Sequence, residues 1–352
     1  MQSFDFIEVT GTTPWDRGTS YGYKAAEKIH QCIESYRGYF TRHTPMNWDE
    51  LRGYAMAYVP DLEAMMPEIV AEARGIAHGA QVPFEDIMVI NCRYEITKQP
   101  LVHECTTAAI LTEATGSPHC YLVKNWDYRI GVMEHIIVLS IQDANGTNIL
   151  GLTEAGQLMR EGFNSHGIGM VNNALRSIHD GPGTGVPATF LRRRVLSCRT
   201  FEEARDWVTG AQRSVSNNIL LMSADNQAIN LEASPLGCEA IHPKAGIVTH
   251  ANHFTIQTEL ENFRTSHRDE RLRKLLHRRW GNLDAAYIKS CMADHDAFPK
   301  SICSHPPDAE AHLEDRDITV ASMIVNLAEK SLEVCVGPPC SGAYKKYGSV
   351  LA

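Results

Sequence analysis

The chain has 352 residues, 43% of them hydrophobic and without a low-complexity tract, which excludes a disordered or fibrous protein and suffices for one large buried core. Its 33 basic residues against 42 acidic ones give a net charge of −9, with no Lys/Arg run long enough to follow a phosphate backbone, so a nucleic-acid partner is not expected. The opening MQSFDFIEVTGTTPWD has neither a basic nor an apolar leader segment, and nowhere do about 18 uncharged apolar residues follow one another, so a soluble, cytoplasmic protein without a membrane partner is expected.

In chain order, apolar residues recur at helical spacing from Arg17 to His43, from Pro60 to Gln81 and from Pro83 to Ile96, which makes the first hundred residues mostly helix. From Cys105 the pattern changes to short strands: CTTAAILT, CYLVKNWDY, HIIVLSIQD, TNILGLTE, IGMVNNAL, NNILLMSA, AINLEAS and EAIHPKAGIVTH. Turn signals such as DANG (Asp143 to Gly146) and DNQ (Asp225 to Gln227) separate several of them. Helices return over Phe190 to Gly210 and Asn262 to Met292, and two strands, ITVASMIVNL and LEVCVG, close the chain. Strands in two batches with helices between and around them predict an α+β fold of two stacked, mainly antiparallel sheets covered by helices on both sides. No repeat or long linker marks a second domain, so residues 1–352 read as one unit.

Ten cysteines without framework spacing suit reduced thiols, and most are inert small apolar residues. His250 and His253 are spaced HxxH, and Cys335 and Cys340 are spaced C-x4-C. With no HExxH and no CxxC pair, no metal is expected. A GxSxG elbow is absent, and the glycines of GTTPWDRGTSYG are not followed by Gly-Lys-Ser/Thr, which removes a serine-elbow hydrolase and a phosphate loop.

The informative stretch is LVHECTTAAIL, Leu101 to Leu111, where a thiol opens a strand behind a self-contained helical segment. Such a cysteine is either a small buried residue or one that becomes a new N-terminus by self-cleavage, with its own α-amine, titrating near pH 8, as the base for the thiol.

The residues ECTTAAI and HCYLVKNWDYR, with Cys105-Thr106 opening a strand and Asn125-Trp126-Asp127 one hairpin later, resemble the nucleophile region of the acyl-coenzyme A:6-aminopenicillanic acid acyltransferase family, the C45 group of N-terminal nucleophile (Ntn) hydrolases. GTTPWDRGTSYG, NCRYEI, GFNSHGIGMVNN, THANHF, SHRDERLRKLL and VGPPC are similar to further blocks of that family, in the same order along nearly the whole chain.

The resemblance implies an αββα four-layer sandwich, made as a precursor and cut between Glu104 and Cys105 into a helical N-terminal chain of residues 1–104 and a chain of residues 105–352 that stay together. Glu104 departs from the small residue common in the family before the cysteine. Carried over by position, Cys105 is the nucleophile, Asn252 the better and Asn173 the weaker oxyanion donor. Asp127 would hold the Cys105 α-amine, or would be a β-turn aspartate. Arg268 would support that network, meet the substrate, or be an exposed helix charge.

Thr106, Asn125 and Lys124 would line the substrate, with Lys124 standing where related bile-salt and penicillin V hydrolases carry an arginine. The expected reaction is hydrolysis of a small N-acyl or aminoacyl amide without a cofactor. The alternatives are transfer from an acyl-coenzyme A thioester as co-substrate, for which RLRKLLHRR (Arg271 to Arg279) is the candidate cation cluster, and a non-catalytic relative that binds a small acylated ligand. Self-association into a homo-oligomer stays open.

Overall fold

The computed structural model describes residues 3–97, 105–143, 146–261, 266–306 and 316–348. Glu104, Ala144 and Asn145 of the DANG turn, and the first four residues of the expected helix from Asn262 lie outside the described residues.

The N-terminal part carries strand β1 (Asp5–Gly11) and helices α1 (Pro14–Lys24), α2 (Ala26–His43), α3 (Trp48–Met56), α4 (Val59–Met65), α5 (Pro67–Ala80), α6 (Phe84–Asn91) and α7 (Arg93–Ile96). Then come β2 (Cys105–Ile110), α8 (Thr112–Thr115), β3 (Tyr121–Arg129), β4 (Ile136–Asp143), β5 (Ile149–Glu154), β6 (Glu161–Asn164) and β7 (Ile168–Ala174). Helices α9 (Ala188–Val195) and α10 (Phe201–Gly210) precede β8 (Asn217–Ser223), β9 (Ala228–Ser234), β10 (Gly237–Ile241) and β11 (Ile247–His250). Helices α11 (Arg268–His277) and α12 (Ala285–Met292) and strands β12 (Asp317–Asn326), β13 (Ser331–Val336) and β14 (Tyr344–Tyr347) complete the chain.

Among the described residues the strands form an eight-stranded sheet, β1-β4-β5-β6-β7-β8-β9-β10, and a six-stranded sheet, β11-β2-β3-β12-β13-β14. Every pairing is antiparallel except β1 with β4. Side-chain alternation assigns the layers. Ile136, Val138, Leu220 and Met222 of the eight-stranded sheet meet Ala109, Leu122 and Trp126 of the six-stranded one. The alternate residues Ile137, Leu139, Ile219 and Leu221 pack under α1 to α6, α9 and α10. On the far side, Ala108, Ile110 and Val123 pack under α11 and α12. The molecule is therefore an αββα sandwich, and strands such as HIIVLSI are apolar throughout because both of their faces are covered.

Several local readings change. The helix expected over Pro60 to Gln81 breaks before Pro67, which opens α5 because its missing N–H is harmless there. The helix expected over Phe190 to Gly210 breaks at Thr200, whose hydroxyl caps α10 by accepting from the Glu203 N–H. EAIHPKAGIVTH is two strands in different sheets, turned at Ala245 and Gly246, both with positive φ. Strand β1 and helix α3 are additions; α3 carries a capping box, Asn47 with Glu50. Helices α1 and α5 approach closely through Gly18 and Gly22 facing Gly75 and Gly79, where a Cβ would strike the opposing backbone.

Candidate active site

Cys105 is the first residue of β2 and pairs across the ladder with Trp126. Its side chain lies between the sheets, 2% exposed, with the sulfur 4.0 Å from the Asp127 carbonyl oxygen. The Cys105 backbone N–H donates to Asn252 Oδ1 at 2.5 Å. Arg268 Nη2 donates to the same oxygen at 3.0 Å, and two donors on one atom fix it as the oxygen of the amide. Asn252 Nδ2 in turn donates to the Ala174 carbonyl at 2.9 Å. Arg268, first residue of α11 and 5% exposed, also places Nη1 4.0 Å from Asp127 Oδ2, while Asp127 Oδ1 accepts from Thr319 Oγ1 at 2.6 Å.

Burial pushes the Cys105 thiol up; Lys124 and Arg160 pull it down, and Asp127 and Glu161 oppose them. The net shift is upward, so the continuous chain holds a protonated thiol beside a backbone amide that cannot take its proton. Asn173, on β7, accepts from Thr107 Oγ1 at 2.8 Å and from Asn218 Nδ2 at 3.0 Å. Its own Nδ2 is buried and, among the described residues, has no acceptor.

The sequence profile of the acyl-coenzyme A:6-aminopenicillanic acid acyl-transferase family matches residues 113–340. The chain belongs to this acyl-transferase family. Its membership makes it an enzyme of the acyl-transferase kind. The acyl-coenzyme A:6-aminopenicillanic-acid-acyltransferase 40 kDa form of Emericella nidulans is 26% identical over 338 residues, 93% of this chain and 91% of its own length. Similar solved structures include the N-acylethanolamine-hydrolyzing acid amidase ortholog of Caenorhabditis elegans, with TM-score 0.48 and 15% identity over 64% of this chain and 93% of its own. Penicillin V acylase from Agrobacterium tumefaciens gives TM-score 0.46 and 10% identity over 70% and 86%.

Within this acyl-transferase family member, Cys105, Asp127, Asn252 and Arg268 come together, with Asn173 reached through Thr107, and two contacts differ from those expected. The Cys105 nitrogen is held by Asn252, not by Asp127, because Asp127 lies on the outer face of β3, turned to Thr319 and Arg268. The unspent amide donor is that of Asn173, not Asn252. Asp127 is a buried strand residue rather than a turn aspartate, and Arg268 is not an exposed charge.

Alternation also separates the residues expected to line the substrate. Lys124 shares the inter-sheet face with Cys105 and is ion-paired to Glu161. Thr106 and Asn125 are a cross-strand pair on the opposite face. Asn125 Nδ2 donates to the Met292 and Ile302 carbonyls at 2.8 and 2.7 Å, so it clasps the segment after α12 rather than a substrate. The HxxH pair is not a ligand pair either: His250 bonds Glu232 and the Ala251 carbonyl in the core.

A buried ionic cluster beside the thiol escaped the sequence reading. Arg93 pairs with Glu154 at 3.0 Å, and Tyr36 donates to Glu154 at 2.6 Å. The Arg160 guanidinium lies 3.9 Å from the Trp126 ring centre, and those of Arg93 and Arg192 lie 4.4 and 4.9 Å from Tyr94. Burial would raise the Tyr94 phenol, but Arg160, Arg93 and Arg192 outweigh it and bring it down to about 8. Among the described residues none of the three Arg192 guanidinium nitrogens has a hydrogen-bond partner, and burial pushes this group down to about 10. FLRRRVL carried a signal: three successive arginines span about 200° of a helix, so one must leave the solvent face. Arg193 finds Glu72 and Arg194 finds Glu203, whereas Arg192 faces the cluster.

Proposed function

We propose that the protein is a self-processed N-terminal-cysteine amidase that hydrolyses a small N-acyl or aminoacyl amide through a Cys105 acyl-enzyme. The carrying observation is the Cys105 N–H on Asn252 Oδ1, with Arg268 behind it. The nitrogen that would become the catalytic amine is already held on the residue that carries the thiol.

In processing, the Cys105 sulfur attacks the Glu104 carbonyl, the acyl group shifts from nitrogen to sulfur and frees the α-amine, and water hydrolyses the thioester to the Glu104 carboxylate and the Cys105 thiol. In turnover the α-amine takes the thiol proton, the thiolate attacks the substrate amide, and Asn173 Nδ2 donates to the oxyanion. The departing amine receives the proton, and water releases the acid. Transfer to an acceptor amine from an acyl-coenzyme A thioester shares this acyl-enzyme. Hydrolysis is favoured because Arg271 is held by Asp294 and the Arg279 guanidinium lies over Tyr287, 4.5 Å from the ring centre, which weakens RLRKLLHRR as a phosphate-binding patch.

With a panel of N-acyl amides and acyl-coenzyme A thioesters, a covalent acyl adduct will appear on the chain that begins at Cys105. Asn173→Ala will lower kcat about a hundredfold with little change in KM. Processed enzyme that forms no adduct and turns over none of the panel would remove the amidase reading.

The Arg192 guanidinium favours, as the substrate, an amide that carries a carboxylate. A buried guanidinium without a hydrogen-bond partner is costly unless a ligand anion meets it, and Arg192 lies over Tyr94, which it shares with Arg160, itself over Trp126, the cross-strand neighbour of Cys105. Arg192→Met will raise KM for acidic amides about tenfold or more, leave neutral amides unaffected and change Tm little, since the lost contact with Tyr94 is offset by removal of a buried charge without a hydrogen-bond partner. Equal effects on acidic and neutral amides would refute this selectivity.

A further inference from the structure

Four side chains from three separate segments converge behind the six-stranded sheet. His295 follows α12, Cys303 and His305 form a C-x-H step beyond it, and Cys340 comes from the turn after β13. One ligand atom from each lies within 4.8 Å of all the others. His305 Nε2 is 3.2 Å from His295 Nε2, 3.6 Å from Cys303 Sγ and 3.5 Å from Cys340 Sγ.

A single ring nitrogen cannot make three good hydrogen bonds, since it has either one proton or one lone pair. Four donors around a common metal need no such bonds. A tetrahedral zinc ion, with Zn–S about 2.3 Å and Zn–N about 2.0 to 2.1 Å, sets ligand atoms about 3.5 Å apart for S···N and about 3.3 Å for N···N. The observed separations match that geometry. The second convergence of ligand types, Cys32, His135 and Glu154, lies among Arg93, Arg129 and Arg160, whose charge repels a cation.

We propose that His295, Cys303, His305 and Cys340 form a structural zinc site. Two thiolates and two imidazoles are the borderline-soft set zinc takes, and four protein ligands leave no position for a substrate or a reactive water. Binding displaces the two thiol protons to solvent, so the dication becomes neutral overall with its two thiolates. The expectation of no metal rested on ligand pairs close in sequence. This set was hidden because Cys340 joins the others only through the packing of β13 beside β12.

The site also has a structural task. The N–H of Ser304, next to Cys303, donates to Thr319 Oγ1 at 2.9 Å, and Thr319 in turn bonds Asp127. Asn125 holds both ends of the same segment through Met292 and Ile302. A metal here pins the segment that positions Asp127.

The test uses the full-length protein, purified from zinc-supplemented culture under reducing conditions and dialysed. Elemental analysis will find about one zinc per chain. Cobalt(II) added to metal-stripped protein will give the visible bands of a tetrahedral thiolate site, and zinc will raise Tm by about 5 °C or more. Cys340→Ala, at an exposed turn, will lose the metal while keeping the wild-type far-ultraviolet spectrum; Cys238→Ala, away from the site, will retain it. Folded wild type that binds neither zinc nor cobalt would overturn the proposal. So would a Cys303–Cys340 disulfide as the resting state, seen as a loss of two mass units restored by reductant, or metal kept by Cys340→Ala and Cys303→Ser alike.

Discussion

Cys105→Ala will be recovered as one full-length chain, whereas wild type will separate under denaturing conditions into a 104-residue and a 248-residue piece. The variant lacks the only atom that can perform the N-to-S acyl shift, so the loss of processing will be complete. Amide turnover will fall at least about a thousandfold, because both the nucleophile and the α-amine that activates it disappear together. Intact-mass measurement of the two proteins decides this without knowledge of the substrate. Cys105→Ser separates the two functions of the residue: a hydroxyl can still perform the shift, more slowly, and a processed but weakly active Ser variant would show that the amine, once exposed, is in place. Full-length wild type would mean that the family membership does not extend to self-cleavage, and that Glu104 stands where a smaller residue is required.

The second large effect is on stability. Glu154→Gln will destabilise the fold by about 3–5 kcal/mol, since it leaves Arg93 buried without its anion and Arg160 with Glu161 alone, and Tm will fall by about 5–10 °C. Burial by itself would raise the Glu154 carboxyl, but Arg93, His135 and Arg160 outweigh it and hold it well below the usual carboxylate range. Its folded pKa is thus lower than its unfolded value of about 4.3, so its stabilisation is complete above that value and is lost as pH falls toward the folded pKa. Wild type will therefore lose stability steeply below about pH 4, and Glu154→Gln will show a shallower slope over the same range. Denaturant unfolding at pH 7 and pH 3.5 measures both quantities. Parallel pH slopes in the two proteins would show that Glu154 is not the group that titrates.

The layered fold was legible from the strands because burial on both faces leaves a local mark: HIIVLSIQD and NNILLMSA are apolar without alternation, as strands under helices on one side and a second sheet on the other must be. The helical segments were legible, but their breaks at Pro67 and Thr200 were not, because periodicity runs on through a short interruption while proline and capping chemistry end the helix. β1 was missed as an edge strand with only one buried residue, so its pattern is weak. At the site, Cys105 stood out by its position at a strand start. That Thr106 and Asn125 turn to the sheet face opposite Cys105 was not legible, because nearness to Cys105 along the chain says nothing about which side of the sheet a residue takes.

By itself the sequence determined the two sheets, the helical cover and the family, since each depends on hydrophobic spacing or on motif order along the chain. Only the tertiary structure decided which polar atoms meet. Asn252 reaches Cys105 across 147 residues, Thr319 reaches Asp127 across 192, and Cys340 reaches His305 across 35. A hydrogen bond or a metal ligand set depends on angstrom-scale placement of atoms from distant segments, and that placement follows from how the sheets stack and which faces the strands turn inward.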